Sequence, residues 1–129
     1  MSARILVVDD DRAVRTALRV NLRKAGMDVT LATHPGEALE HLRAEPFDLV
    51  LTDVKMPGAT GIELLASVRE GWPALPVVVM TGYGSVEDAV DAMKHGAADY
   101  LIKPVGKDEL VLVLERALET KALRAELVQ

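Results

Sequence analysis

The chain contains no cysteine, which excludes disulfides and thiolate metal sites as sources of stability and suits a reducing cytoplasm. No apolar run approaches the roughly 20 residues that a membrane helix requires, and the N-terminus lacks the charged, apolar, small-residue order of a signal peptide. A soluble, cytoplasmic protein without membrane contact is the expectation. An excess of basic residues is missing too: 15 Lys and Arg stand against 20 Asp and Glu, for a net charge of -5. Direct nucleic-acid binding is therefore not expected of this chain, because such binders carry a basic face. There is no internal repeat and no low-complexity tract.

What is present suits one domain. Half of the 129 residues are hydrophobic, which at this length gives a single well-buried core. Strand-like apolar runs alternate with helix-like spacing, the signature of βα units around a parallel sheet, and five such units can be read. The predicted strands are Arg4 to Val8, Asp28 to Ala32, Leu49 to Thr52, Pro76 to Met80 and Ala98 to Ile102. The first helix should bury Val14, Ala17, Leu18, Leu22 and Ala25 and end at Gly26. "ILVV", "LVL" and "VVVM" are continuously apolar, as in strands covered on both faces, whereas "DVTLAT" alternates and "DYLIK" is mixed. The second and fifth strands therefore belong at the edges, which gives a doubly wound, flavodoxin-like (βα)5 fold of order 2-1-3-4-5. The last helix, from about Lys107 to Val128, continues its apolar positions through Leu114, Leu118, Leu123 and Leu127. At about 30 Å it is longer than a small sheet can cover. The expected layout is a domain over residues 1–120 and, over 121–129, an extension that meets a partner or leads into further chain.

In such a sheet the functional crevice lies beyond the carboxyl ends of the strands. Asp9 and Asp10 stand there after the first strand, Asp53 after the third, Thr81 after the fourth and Lys103 after the fifth. A single Asp between strand and helix is ordinarily an N-cap or turn residue, and Asp11 is read that way. Three acids, a hydroxyl and a cation arriving on one edge from four strands form a complementary set instead. Clustered carboxylates repel and call for a cation, and an all-oxygen donor set suits Mg²⁺ better than zinc. With its charge offset, Asp53 can act as nucleophile toward a phosphoryl group, while Lys103 and Thr81 bind the phosphoryl oxygens.

The fragments "VVDDD", "DLVLTDVKMPGATG", "VVVMTGYGS" and "GAADYLIKP", in that order from Arg4 to about Leu118, resemble the response-regulator receiver domains (CheY-like) of two-component signalling. The resemblance implies that Asp53 accepts phosphate from a sensor histidine kinase. It also implies that Asp10 binds Mg²⁺ directly, that Asp9 assists partly through water, and that the Lys55 carbonyl is a backbone ligand. Thr81 and Lys103 would contact the phosphoryl group, Tyr100 would be the switch aromatic, and the Lys103-Pro104 bond would be cis. Lys55 and Tyr83 would flank the phosphate and tune its hydrolysis. Signal would leave through the face of the fourth helix, fifth strand and last helix. The segment "TGYGSVEDAVDAMKHGAADYLIKP" is most similar to receivers of enhancer-binding transcription activators of the NtrC class, in which the last helix leads toward an output domain. That implies control of transcription, with a homodimer through the last helix (Leu123 and Leu127) or the same face as a further expectation. A stand-alone receiver acting by docking to a partner is the alternative.

On this reading the chain is a signalling phosphoacceptor and not an enzyme. A haloacid-dehalogenase-type phosphatase would need a second acid where Lys55 stands, and a flavin carrier would need a hydroxyl- and amide-rich loop where the three aspartates stand. His34, His41 and His95 are read as surface or partly packed, the Met residues as filler, and Trp72 as part of a connection.

Overall fold

A computed structural model describes residues 2–56, 59–82 and 86–128, with side chains described through residue 120, residue 59 apart. The order along the chain is β1 (Arg4–Val8), α1 (Arg12–Lys24), β2 (Asp28–Ala32), α2 (Pro35–Ala44), β3 (Leu49–Asp53), α3 (Gly61–Gly71), β4 (Val77–Thr81), α4 (Val86–Lys94), β5 (Asp99–Ile102) and α5 (Lys107–Val128). Between β3 and α3 the chain adds a two-residue antiparallel pairing of Lys55–Met56 with Ala59–Thr60.

The five long strands form one parallel sheet in the order β2-β1-β3-β4-β5. Successive side chains of a strand point to opposite faces, and the core divides accordingly. Leu6, Val8, Val50, Val77 and Val79 pack beneath α2, α3 and α4 with Leu42, Leu64, Leu65 and Ala92. Ile5, Val7, Leu49, Leu51, Val78 and Met80 pack beneath α1 and α5 with Leu18, Leu22, Leu110 and Leu114. Burying a Val, Leu or Ile side chain is worth about 1.5–3 kcal/mol. The three central strands are therefore the rigid part of the molecule, and their ends are well-fixed places to mount polar groups.

β1 and β2 have the limits read from the sequence, while β3 and β4 each run one residue further, to Asp53 and Thr81. Pro76 stays outside β4, although its carbonyl accepts a hydrogen bond from the Val50 N–H. On α1 the buried stripe is Leu18 and Leu22 with Val14 partly covered; Ala17 and Ala25 are exposed, contrary to the expected face. Ala17 is offset by one position, about 100° around the helix, from Leu18. Ala25 is the C-cap, where the chain is already leaving the helix. Gly26 then takes a φ of 86°, the left-handed conformation that ends helices at glycine. α4 starts at Val86, and its last residue is Lys94.

β1 is flanked by β2 on one side and β3 on the other, so successive connections leave it in opposite directions. A crevice opens at the carboxyl ends of β1 and β3, where those connections diverge. Among the described residues, no helix is long and apolar enough to cross a membrane.

Candidate functional site

The crevice is built from strand ends. β1 delivers Asp9, which has no exposed surface; β3 ends in Asp53, which is buried; β4 ends in the fully buried Thr81. Lys103 follows β5, where its N–H donates to the Thr81 carbonyl at 2.9 Å, and the Lys103-Pro104 bond is cis. Its ammonium then reaches across the strand ends, donating to Asp9 Oδ2 at 2.9 Å and to Asp53 Oδ2 at 3.2 Å. One cation thus bridges two carboxylates that come from neighbouring strands.

Asp10 is exposed at the rim, and one carboxylate oxygen from each of Asp9, Asp10 and Asp53 lies within 4.8 Å of the others. Three carboxylates against one ammonium leave a formal charge of -2 at the cluster. Burial pushes the Asp53 carboxyl above the usual carboxylate range, and the nearby Asp9 adds to this; Lys103 and a hydrogen bond from the Lys55 backbone oppose it without winning. For Lys103, burial disfavours the charge, but the hydrogen bond to Asp9 and the fields of Asp53 and Asp9 outweigh it and hold the ammonium above the ordinary lysine value. The two directions agree physically, since two acids favour the shared ammonium while its share on Asp53 does not offset that group's burial.

An all-oxygen set of this charge fits a hard divalent ion such as Mg²⁺. A second polar group is unspent: the Thr81 hydroxyl oxygen is buried and has no hydrogen-bond partner among the described residues. Leaving a buried hydroxyl unpaired costs about 1–3 kcal/mol. Thr81 ends the strand next to β3, which ends in Asp53.

The Lys55 backbone hydrogen-bonds Asp53, while its side chain is mostly exposed and pairs with Asp88 of α4 at 3.4 Å. Tyr100 lies 41% exposed in the middle of β5, opposite Val79, and takes no part in the cluster. Asp11 caps α1, accepting from the N–H groups of Ala13 and Val14. Tyr83 and the side chains of Leu123 and Leu127 lie outside the described residues. Sequence reading missed Arg15, whose guanidinium donates to the Asp9 carbonyl at 2.7 Å, and Asp88, the partner of Lys55. No periodicity announces either contact, because each depends on one long side chain, Arg15 or Lys55, reaching a group on another element. Gly61 was missed as well; it packs so closely on the Asp53 backbone that a Cβ there would overlap the Asp53 carbonyl oxygen.

Beside the cluster, an open groove of about 450 Å³ runs between α1 and the segment after Lys103, lined by residues that include Val14, Ala17, Leu18, Met80, Pro104 and Val105. Ala17 is exposed into this groove, which is why it is not part of the core.

Residues 5–115 match the family model of the response regulator receiver domain. The chain is 50% identical over 123 residues to the transcriptional regulatory protein ZraR of Escherichia coli (strain K12), covering 95% of this chain and 28% of that protein. It is 46% identical over 119 residues to the response regulator protein FleR of Pseudomonas aeruginosa, covering 92% of this chain and 25% of that one. Its fold superposes on NtrX from Brucella abortus, solved in complex with ADP, with a TM-score of 0.96 at 38% identity over 99% of this chain and 30% of that one. A CheY-like receiver domain protein from Methanospirillum hungatei gives a TM-score of 0.89 at 33% identity, over 96% of this chain and 99% of that one. The chain thus spans little more than a quarter of the curated relatives and nearly all of the small receiver.

Proposed function

Because the chain belongs to the response regulator receiver family, we propose that it is a phosphorylation switch in which Asp53 accepts a phosphoryl group from a sensor histidine kinase. The observation that carries this reading is the Lys103 bridge between Asp9 and Asp53, together with a buried Thr81 hydroxyl that has no hydrogen-bond partner among the described residues. Asp10 and Asp53 would hold Mg²⁺ through carboxylate oxygens and Lys55 through its backbone carbonyl, with Asp9 assisting. Bound there, Mg²⁺ offsets the negative charge of the acids and of the incoming phosphoryl oxygens.

An Asp53 carboxylate oxygen attacks phosphorus as the P–N bond of the kinase's phosphohistidine breaks, and the electron pair of that bond stays on the imidazole nitrogen. Lys103 gives up its longer contact, to Asp53, for a phosphoryl oxygen while keeping the shorter one to Asp9. The Thr81 hydroxyl, which has no hydrogen-bond partner among the described residues, donates to a second phosphoryl oxygen. The groove along α1, lined in part by Lys103, receives the kinase surface that presents the phosphohistidine.

The phosphoryl group shifts a two-state equilibrium only as far as it binds the two states differently. Thr81 and Lys103 supply that difference, and Tyr100 turns inward as Thr81 moves. The α4-β5-α5 face then changes, and its exposed Val86, Val90, Met93, Ile102 and Leu112 support its use by a partner. Likeness to longer transcriptional regulators supports an output domain beyond residues 121–129 that controls transcription; homodimerisation through α5 or the same face is part of the same proposal. This domain itself binds no nucleic acid or membrane, and it assists only its own phosphotransfer and dephosphorylation.

The test is intact-mass spectrometry after incubation with a small phosphodonor and Mg²⁺. Wild type gains about 80 Da for one phosphoryl group, and Asp53→Asn gains nothing. An Asp53→Asn protein that still gains this mass overturns the assignment.

A further inference from the structure

Asp9 is held at four points. Its N–H donates to the Ala32 carbonyl at 3.1 Å, its Oδ2 accepts from Lys103, its Oδ1 accepts from the Asp11 N–H at 2.9 Å, and its backbone carbonyl accepts from Arg15 Nη1 at 2.7 Å. The last contact needs explaining. The ladders of β1 end at Val8, paired with Ala32 and Thr52, so the Asp9 carbonyl lies past the last strand partner. Arg15, from the second turn of α1, fills that vacancy with a charge-assisted hydrogen bond.

The carbonyl so held belongs to the peptide unit that leads into Asp10. The next peptide unit, between Asp10 and Asp11, is fixed through the Asp11 N–H on Asp9 Oδ1. Asp10 is itself exposed, yet both peptide planes that flank it are pinned. We infer that Arg15 is a positioning residue for the divalent cation: by clamping the Asp9 carbonyl it fixes the direction in which Asp10 carries its carboxylate. The inference rests on the cation site proposed above.

The sign of the effect separates this role from its rivals. Arg15 places a positive charge near a cation site, so electrostatics alone predicts that removing it strengthens Mg²⁺ binding. A residue that only staples α1 to β1 changes stability and leaves the affinity of the folded protein unchanged. A positioning residue predicts weaker binding, by about tenfold or more for an outer partner that orients a ligand.

The experiment titrates wild type, Arg15→Met and Arg15→Lys with Mg²⁺ alone by calorimetry, well below each protein's unfolding temperature, with metal-free melting curves alongside. Arg15→Met keeps the apolar stem and loses the donor, and is expected to bind Mg²⁺ about tenfold more weakly. Arg15→Lys keeps the charge but has a shorter reach and no planar fork, so a partial loss isolates geometry from charge. Arg15→Lys alone decides the matter if Arg15→Met does not fold. Unchanged or tighter Mg²⁺ binding in the variants overturns the inference, whatever happens to their melting temperatures. A wild-type protein that binds no Mg²⁺ overturns the proposed site instead.

Discussion

Gly61 begins α3, and its N–H donates to the Val54 carbonyl at 2.7 Å. After β3 the chain turns out through the short Lys55–Met56 and Ala59–Thr60 pairing and returns so that α3 starts directly against the strand end that carries Asp53. A Cβ at Gly61 would overlap the Asp53 carbonyl oxygen, sit 2.9 Å from Val54 Cα and sit 3.0 Å from the Asp53 carbonyl carbon. All three neighbours are backbone, so no side-chain rotation relieves the clash. Either α3 retreats, loosening the buried Leu64, Leu65 and Val68, or the end of β3 moves. Overpacking of this kind costs about 1–3 kcal/mol. For a chain of 129 residues the unfolding entropy is about 0.27 kcal/mol/K, so Gly61→Ala should lower the melting temperature by about 4–11 °C. Gly71 closes the same helix with nothing within 4 Å of its Cβ position. There the same substitution removes freedom from the unfolded chain and should be neutral or stabilising by up to about 1 kcal/mol. Thermal unfolding followed by circular dichroism measures both. Equal melting temperatures for the two variants would refute the reasoning, because they differ only in the space available to one methyl group.

Two further outcomes follow from the same contacts. The Asp53 carboxyl is held above the usual range, chiefly by burial; between its ordinary and raised values the native state binds more protons than the unfolded state, so its contribution to stability falls as pH rises through that window. Asp53→Asn should therefore be more stable than wild type at pH 7, by a margin that shrinks as pH falls through the window, and urea unfolding that finds it less stable at pH 7 contradicts this. At the start of α2, the His34 ring accepts the Glu37 N–H at 3.3 Å while Glu37 accepts the Thr33 N–H at 2.6 Å, so the Glu reaches one residue further back than in a capping box, and the cap residue is unusual. Replacing His34 by Asp should add about 0.5–1 kcal/mol, or roughly 2–4 °C, and a melting temperature equal to or below that of wild type counts against the ring acting as the cap.

The sheet was legible because burial on both faces leaves a one-dimensional trace. "ILVV", "LVL" and "VVVM" can only be central strands, and an alternating "DVTLA" is tolerated only at an edge. Once the order is known, the positions of Asp9, Asp10, Asp53, Thr81 and Lys103 at one edge follow from chain position alone. What stayed hidden depends on side-chain reach or on very short elements. The Lys55–Met56 pairing is two residues long and has no period to read. The Arg15 clamp and the Lys55–Asp88 pair each depend on where a long side chain ends, and the composition of α1 or α4 does not fix that. Ala17 shows the limit of helical periodicity, because a methyl at the margin of a buried stripe can face a groove as readily as the core.

The same folding logic explains why the cluster is electrostatically uneasy. Strands covered on both faces leave only their ends for polar groups, so Asp9 and Asp53 sit where the core begins and are buried. Asp9 has no exposed surface, and its oxygens are satisfied by Lys103, the Asp11 N–H and Arg15. Asp53 has the longer share of the lysine and bears the burial penalty. In the proposed cycle this asymmetry decides which contact breaks. Lys103 can leave Asp53 at lower cost than Asp9, so Asp9 serves as the pivot from which the ammonium swings to a phosphoryl oxygen. A symmetric pair of contacts would hold the ammonium on the nucleophile that has to be freed. In the proposed cycle the 2.9 Å contact to Asp9 stays while the 3.2 Å contact to Asp53 is exchanged for a phosphoryl oxygen.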